Sequence, residues 1–248
     1  MTAAPPLPLN AWLRYDLVRR LLREVGSEVS SVLEVGSGKG AFAARLARRY
    51  DYVGVEPDPV AHAHAAERLR EAGRGRMVCG EVSALPDDEM FDLVCSFEVL
   101  EHLEDDAQAL AEWSGKLRDG GFILLSVPAR PGHFGAHDRI VGHYRRYDAA
   151  RLRCLLADAG FVDARVLTCG FPLGYALEAA RNTIARLARE RGDVSMAEQT
   201  AASGRWLQPP DGIGWLTAVV TAPFRLLQRP FAQTGFGTGL VALARRPG

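Results

Sequence analysis

Apolar side chains recur at three- and four-residue spacing from Leu9 to Val25, where Leu13, Leu17, Leu21, Leu22 and Val25 are interleaved with Arg14, Arg19, Arg20 and Arg23. This period predicts an amphipathic leading helix within residues 1–30. From Ser31 the pattern changes to short apolar runs separated by helical stretches: Ser31–Val35, Tyr52–Val55, Arg76–Cys79, Phe91–Ser96 and Phe122–Val127. Runs of this kind suit strands covered on both faces, and their alternation with helices predicts an α/β fold with a mostly parallel sheet. The helix ends are readable. Asp58-Pro59 is an N-cap with proline at the first helical position, with Gly73 as the stop. Asp105 and Asp106 cap Ala107–Leu117, which ends at the Asp119-Gly120-Gly121 turn, and Asp148 caps Ala149–Ala159 before Gly160. Val162–Thr168 and Gly239–Ala244 read as a sixth and a seventh strand.

Between those last two strands lies a long stretch, residues 171–237, of helical character with scattered Pro and Gly. Adjacent antiparallel strands need only a short connection, so this stretch reads as a helical lid or recognition element. The expected layout is a single domain over 1–248, with a leading helix at 1–30, a cofactor-binding core at 31–170, the lid at 171–237 and the final strand at 238–248. No internal repeat or low-complexity segment is visible.

Composition changes this picture little. Of the residues, 48% are hydrophobic and 24% charged, with 30 basic against 30 acidic side chains. All basic residues except Lys39 and Lys116 are arginine, spread along the chain without a cationic block, so nucleic acid is not an expected partner. Cys79, Cys95, Cys154 and Cys169 have no CxxC spacing, and three of them lie in apolar runs that read as buried strands. That suits a reduced compartment, and with no secretory signal in Met1–Pro8 the expected location is cytoplasmic. The apolar run Gly212–Phe224, closed by Pro223 and Arg225, is well short of the roughly 20 residues of a spanning helix.

The most informative stretch is Leu33-Glu34-Val35-Gly36-Ser37-Gly38-Lys39-Gly40-Ala41-Phe42, where a strand turns directly into a helix. Glycines at 36, 38 and 40 let the backbone approach a ligand, and helix amides point into the same space. Glu56, at the end of the second strand, is placed to accept both hydroxyls of a ribose. A nucleoside-containing cofactor therefore belongs at the carboxyl edge of strands one and two. A P-loop is excluded, because Gly40 follows Lys39 and Leu occupies position 33. A nicotinamide site wants GxGxxG, and here the third glycine comes one residue early, with Ala41 in its place. S-adenosylmethionine is left, whose sulfonium and ammonium suit an acidic Glu34 that would repel a phosphate.

Here the sequence resembles the class I S-adenosylmethionine-dependent methyltransferases, over about Val32 to Pro128. The family's [D/E]xGxGxG motif is matched by Glu34, Gly36, Gly38 and Gly40. The acidic residue after strand two is matched by Glu56 in Val53-Gly54-Val55-Glu56-Pro57-Asp58. Phe97-Glu98-Val99-Leu100-Glu101-His102-Leu103 and Leu117-Arg118-Asp119-Gly120-Gly121 are also similar to the family's pattern. The resemblance implies a Rossmann-like seven-stranded sheet with helices on both faces and places Pro57, Val82 and Phe97 beside the cofactor. It further implies that Glu81 lies near the adenine amino group, unless Glu81 is a solvated loop carboxylate.

Methyl transfer to a hydroxyl profits from a base that titrates near neutrality. His133, His137 and His143, half of the 6 histidines, follow the fifth strand, and Gly142-His143-Tyr144-Arg145-Arg146-Tyr147 resembles a stretch in bacterial members with small or lipid-like acceptors. His143 is the first candidate for a base or substrate contact, and His137 with Asp138 the second. The alternative is that His143 and Tyr144 only anchor the loop. Glu98, Glu101 and His102 would share one helix face and, with His143, resemble the divalent metal site of metal-dependent members, but the Glu-Val-Leu-Glu-His string also resembles metal-independent relatives, where it closes the site, and no metal is the expectation.

In the lid, Tyr175, Trp206, Trp215, Phe224 and Phe231 suggest an apolar acceptor pocket, and equally a homodimer interface or peripheral membrane contact. The expected reaction is O-methylation of a small or lipid-like, natural-product-type acceptor. The alternative on the same fold is an S-adenosylmethionine-binding cyclase or a noncatalytic partner subunit, and a nicotinamide oxidoreductase is disfavoured by the glycine spacing.

Overall fold

Seven strands form one sheet: β1 (Ser31–Val35), β2 (Asp51–Glu56), β3 (Arg76–Cys79), β4 (Phe91–Phe97), β5 (Leu117–Pro128), β6 (Val162–Cys169) and β7 (Gly239–Arg245). Their order is β3-β2-β1-β4-β5-β7-β6. The first five are parallel, with Leu33 of β1 opposite Val53 of β2 and Val94 of β4, while β7 runs antiparallel to β5 and β6. The computed structural model describes residues 5–190 and 214–248. The chain moves outward from β1 through β2 to β3, then returns to place β4 on the other side of β1. The carboxyl ends of β1 and β4 thus form the topological switch where ligands of open α/β sheets bind.

Alternation along the strands divides the core. Val32 and Leu124 face a cluster with Leu17, Val18 and Leu21 of α1 (Leu9–Val25), whereas Leu33, Ile123 and Leu125 face Leu110 and Trp113 of α4 (Asp106–Ser114) and Leu152 and Leu156 of α6 (Ala149–Asp158). A sheet covered on both faces is what consecutive apolar positions require. The caps read from the sequence are made. Asp58 accepts from Ala61 N at 2.6 Å at the start of α3 (Pro59–Ala72), Asp105 from Gln108 N at 2.8 Å, and Asp148 from Arg151 N at 2.7 Å.

Several expectations need correction. The glycine loop does not pass straight into a helix: α2 covers only Ala43–Leu46, because Gly36, Gly38 and Gly40 all hold φ between 54° and 77° and cannot belong to a right-handed helix. Likewise α4 stops at Ser114, and Leu117 already pairs with Phe91 as the first residue of β5. Between the Phe91–Leu117 and Leu93–Phe122 pairs the Asp119-Gly120-Gly121 segment bulges out of β5 and does not end a helix. Cys79 is exposed, since β3 is the edge strand; Cys95 and Cys169 are buried, Cys154 is exposed, and all four thiols are free.

The lid contributes α7 (Leu173–Glu190) and α8 (Gly214–Leu227), and the sequence reading of residues 191–213, Trp206 included, lies outside the described residues. Pro223 does not close α8. The helix continues to Leu227, and the carbonyls of Thr217 and Ala218 one turn earlier accept from Thr221 Oγ1 and from the Arg225 guanidinium. Among the described residues no helix is long and apolar enough to cross a membrane. α8 is tied to α1: Trp12 Nε1 donates to Thr217 Oγ1 at 3.0 Å, Gln228 Nε2 to Leu13 O at 2.9 Å, and Arg229 pairs with Asp16 at 3.1 Å. Between α5 (Ala136–Val141) and α6 the chain returns to the sheet, where Tyr147 bridges to Ala129 and its hydroxyl donates to Asp106 at 3.0 Å.

Candidate active site

The acidic and glycine positions of the first motif meet at the carboxyl ends of β1 and β2. Gly36 has φ 70°, and a Cβ there would lie 2.4 Å from Val99 Cγ2, so the loop can pass under the β4 turn only without a side chain. Gly38 has φ 54° with open space where a side chain would be, and its amide donates to Glu56 Oε2 at 2.7 Å. Asp58 N donates to the other oxygen, Oε1, at 3.0 Å. Each carboxylate oxygen keeps a lone pair for a further donor, so Glu56 can brace the loop and accept ribose hydroxyls together.

Glu34 lies beneath the loop and accepts from the Tyr52 hydroxyl at 2.6 Å. Burial pushes its carboxyl up to about 8; the Tyr52 bond opposes this and the Glu56 charge adds to it. A cation brought near would draw the proton off, which suits a ligand bearing ammonium and sulfonium groups. Glu81 is exposed at the end of β3, next to Gly80, whose amide donates to Glu56 O. Pro57 is exposed beside Glu56, Val82 is core, and Phe97 stacks on Phe42 at 4.6 Å beneath the loop. These residues would fit S-adenosylmethionine: Glu56 and the Gly38 turn could take the ribose hydroxyls and Glu34 a cationic group.

On the other side of the switch point Asp138 is a hub. It is fully buried and accepts from His143 Nδ1 at 2.9 Å, from Arg146 Nε and Nη2 at 2.8 Å each, and from Gly135 N at 2.7 Å. Burial works against its charge, yet the bonds from His143, Arg146 and Gly135 hold its carboxyl far below the usual carboxylate range. Asp138 therefore only accepts, and His143 donates to it from Nδ1. Asp138 serves His143 and not its neighbour His137, whose ring is pressed down to about 4 by burial and then by Arg181.

The pair of motif carboxylates after β4 separates. Glu98 sits at φ 59° and is followed by a tight turn, Leu100–His102, so the expected single helix face does not exist. Its carboxylate is taken by Arg14 at 3.0 Å and by Ser126 Oγ at 3.3 Å. Glu101, His102 and His143 do converge, with ligand atoms within 4.8 Å of one another. Glu101 is wholly buried and neither of its carboxylate oxygens has a hydrogen-bond partner. Burial, with the Glu98 charge behind it, raises its pKa well above the usual range, and burial followed by His143 lowers His102 to about 4.

Three contributors escape the motif reading. Arg14 sits in the buried stripe of α1 and not among its polar residues, and it reaches Glu98. Glu178 of α7 pairs with Arg146 and lies 3.3 Å from His133 Nδ1. Arg181, one turn further on, neighbours Glu98, Glu178, Arg14 and Arg146. Their only sequence signal is charge on an otherwise small or apolar helix face, as in Gly174, Glu178, Arg181 and Ala185. A cleft of about 380 Å³ opens between this loop and α7, lined by His133, Phe134, Tyr175, Glu178, Asn182 and Arg186. A larger one of about 530 Å³ lies at the amino ends of the strands, near Ser31, Asp51 and Arg76, away from the motif residues.

Known proteins are similar to this chain. Residues 33–125 match the family model for a methyltransferase domain. A Mycobacterium tuberculosis relative, named a probable S-adenosylmethionine-dependent methyltransferase, is 32% identical, with 96% of this chain and 85% of the relative covered. The fold is similar to that of the N-methyltransferase NodS from Bradyrhizobium japonicum, solved with S-adenosyl-L-homocysteine, at TM-score 0.57 and 19% identity, covering 96% of this chain and 89% of NodS. It is similar also to the [4+2]-cyclase SpnF, at TM-score 0.55 and 22% identity, covering 94% and 81%. At such identities the structural likeness speaks for the fold, whereas the mycobacterial relative, matched over 85% of its length, and the domain match speak for the family. With the glycine loop, Glu56 and the switch-point geometry in agreement, the chain belongs to the class I S-adenosylmethionine-dependent methyltransferases.

Proposed function

We propose that the chain methylates an oxygen of a small or lipid-like acceptor held between the loop after β5 and α7, with His143 as the base. The observation that carries this reading is the 2.9 Å contact of His143 Nδ1 with an Asp138 that is itself fixed by Arg146. Bound S-adenosylmethionine supplies a methyl carbon activated by its sulfonium. The chain's own residues supply orientation and proton transfer: Glu56 and Gly38 hold the ribose end, and Glu34 faces the cationic end. His143 Nε2 takes the hydroxyl proton while Asp138 stabilises the imidazolium that results. Exposed Trp215, Leu216, Val219 and Val220 on α8 support a lipid-like acceptor, with peripheral membrane contact or a second copy as ways of covering that face. The reading also keeps a reduced, cytoplasmic setting, in line with the free thiols.

The test is turnover of an acceptor panel of alcohols, phenols and amines, with products identified by mass spectrometry. An O-methyl product, and turnover lowered roughly 100-fold or more in His143→Gln with unchanged S-adenosylhomocysteine affinity, is the expected result. Methylation confined to nitrogen or carbon, or full activity in the variant, defeats it. Rearranged product without S-adenosylhomocysteine release would give the site to the cyclase alternative.

A second reading is favoured by the unpartnered Glu101 oxygens beside His102 and His143: a divalent metal bound by these three, without Glu98. Zinc or magnesium titration of the purified chain, repeated with Glu101→Gln, decides it. Metal binding lost in the variant supports the site, and equal binding removes it.

A further inference from the structure

Gly174, Glu178, Arg181 and Ala185 lie on one face of α7; all but Arg181 are buried, and Arg181 is half-buried. Glu178 is consumed by Arg146 and His133. Arg146 also takes Asp138, and Arg14 takes Glu98. Arg181 stands among these groups and is left over. Among the described residues its guanidinium enters no ion pair, and its buried Nε has no hydrogen-bond partner. Burial pulls its pKa down against the pull of Glu98 and Glu178. A guanidinium stays charged in proteins, and holding its Nε out of water without a direct partner is costly. Such a cost is tolerated where a ligand supplies the missing charge.

The location fits a ligand and not a structural ion. Arg181 lies one turn along α7 from Glu178, which holds Arg146 and His133 of the segment after β5, and within electrostatic reach of Glu98, the residue that follows β4 at the switch point. This is the space between the cofactor edge and the lid. We propose that Arg181 is the receptor for an anionic group of the methyl acceptor, a carboxylate or a phosphate, bound through the planar fork of its guanidinium. The inference rests on reading the space under α7 as the acceptor site. It narrows the acceptor to molecules that carry a negative group at a fixed distance from the atom methylated.

The experiment is calorimetric titration of the S-adenosylhomocysteine-loaded full chain with inorganic phosphate and, separately, acetate, at ionic strength matched with chloride. Saturable binding of one or both anions is expected, weakened roughly tenfold or more in Arg181→Gln with cofactor affinity unchanged. Binding of phosphate alone points to a phosphorylated acceptor, and binding of acetate to a carboxylate. Arg181→Met should melt no lower than the wild-type chain in chloride, since it removes a buried charge that lacks a partner. No saturable binding, equal binding by Arg181→Gln, or a lower melting temperature for Arg181→Met each overturns the proposal, the last by giving the arginine a structural role. His143→Gln keeps the two readings apart: it should bind the anion like the wild type, and full turnover in that variant would sink the base assignment while leaving Arg181 standing.

Discussion

The Tyr52 hydroxyl donates to Glu34 Oε2 at 2.6 Å across neighbouring strands, in the space left by the missing side chain of Gly54. A Cβ on Gly54 would lie 2.5 Å from that hydroxyl. The first acidic residue of the cofactor motif is thus tuned by the second strand as well as by its own loop.

With its pKa pushed up to about 8, mainly by burial, Glu34 is protonated at neutral pH in the cofactor-free chain. A cationic ligand prefers the ionised form, so S-adenosylmethionine affinity should rise as pH increases through about 8, with a proton released on binding. Folding shows the opposite sign. The raised folded-state pKa contributes stability that is fully present below the usual glutamate value and is lost as pH rises through about 8. Titrations in buffers of different ionisation enthalpy would show both the affinity change and the proton. Glu34→Gln should flatten the profile, and an unchanged profile would assign the proton elsewhere.

Glu56→Ala removes the acceptor for both Gly38 N and Asp58 N, and with it the proposed ribose site. Cofactor affinity should fall by about 1–3 kcal/mol, as expected for charge-assisted hydrogen bonds. Fluorescence or calorimetric titration with S-adenosylhomocysteine measures it, and wild-type affinity would rule out the ribose role.

Asp138→Asn should cost about 2–4 kcal/mol of stability, because Arg146 loses the charge that its two 2.8 Å bonds require. It should also release the His143 tautomer, visible as a change in the nitrogen chemical shifts of that ring. A variant of wild-type stability whose His143 keeps its proton on Nδ1 would show that the hub does not set the tautomer.

Gly36→Ala combines an unfavourable φ of 70° with a clash 2.4 Å from Val99 Cγ2. Roughly 1–3 kcal/mol should be lost, part of it recovered in the Gly36→Ala, Val99→Ala double variant. Denaturant unfolding of the two single variants and the double variant tests this, and strict additivity would mean that the contact carries none of the cost.

What the sequence disclosed was local. The caps at Asp58, Asp105 and Asp148 need only residues three positions away, and the glycine loop with Glu56 joins two consecutive strands. The short apolar runs located the buried strands for the same reason. Long-range choices were hidden: that Asp138 would serve His143 rather than His137, that Arg14 would leave the polar face of α1 for Glu98, and that Glu178 would come from the lid to meet Arg146. Each depends on which surfaces are packed together, and no period in the sequence encodes that. The early end of α4 and the bulge in β5 were missed because a Gly-Gly pair marks a turn without saying whether the strand has already begun.

The clasp between α1 and α8 has a bearing on the order of assembly. Trp12, Leu13 and Asp16 find their partners Thr217, Gln228 and Arg229 more than two hundred positions later. During synthesis α1 leaves the ribosome long before α8 exists, so it waits with its apolar stripe incompletely covered. Contacts this distant along the chain form late, and Arg14 rides on the same helix to reach Glu98. Completion of the proposed acceptor side is thereby coupled to the last stage of folding, and pulse-labelled hydrogen exchange should show α1 and α8 gaining protection together, after the central strands.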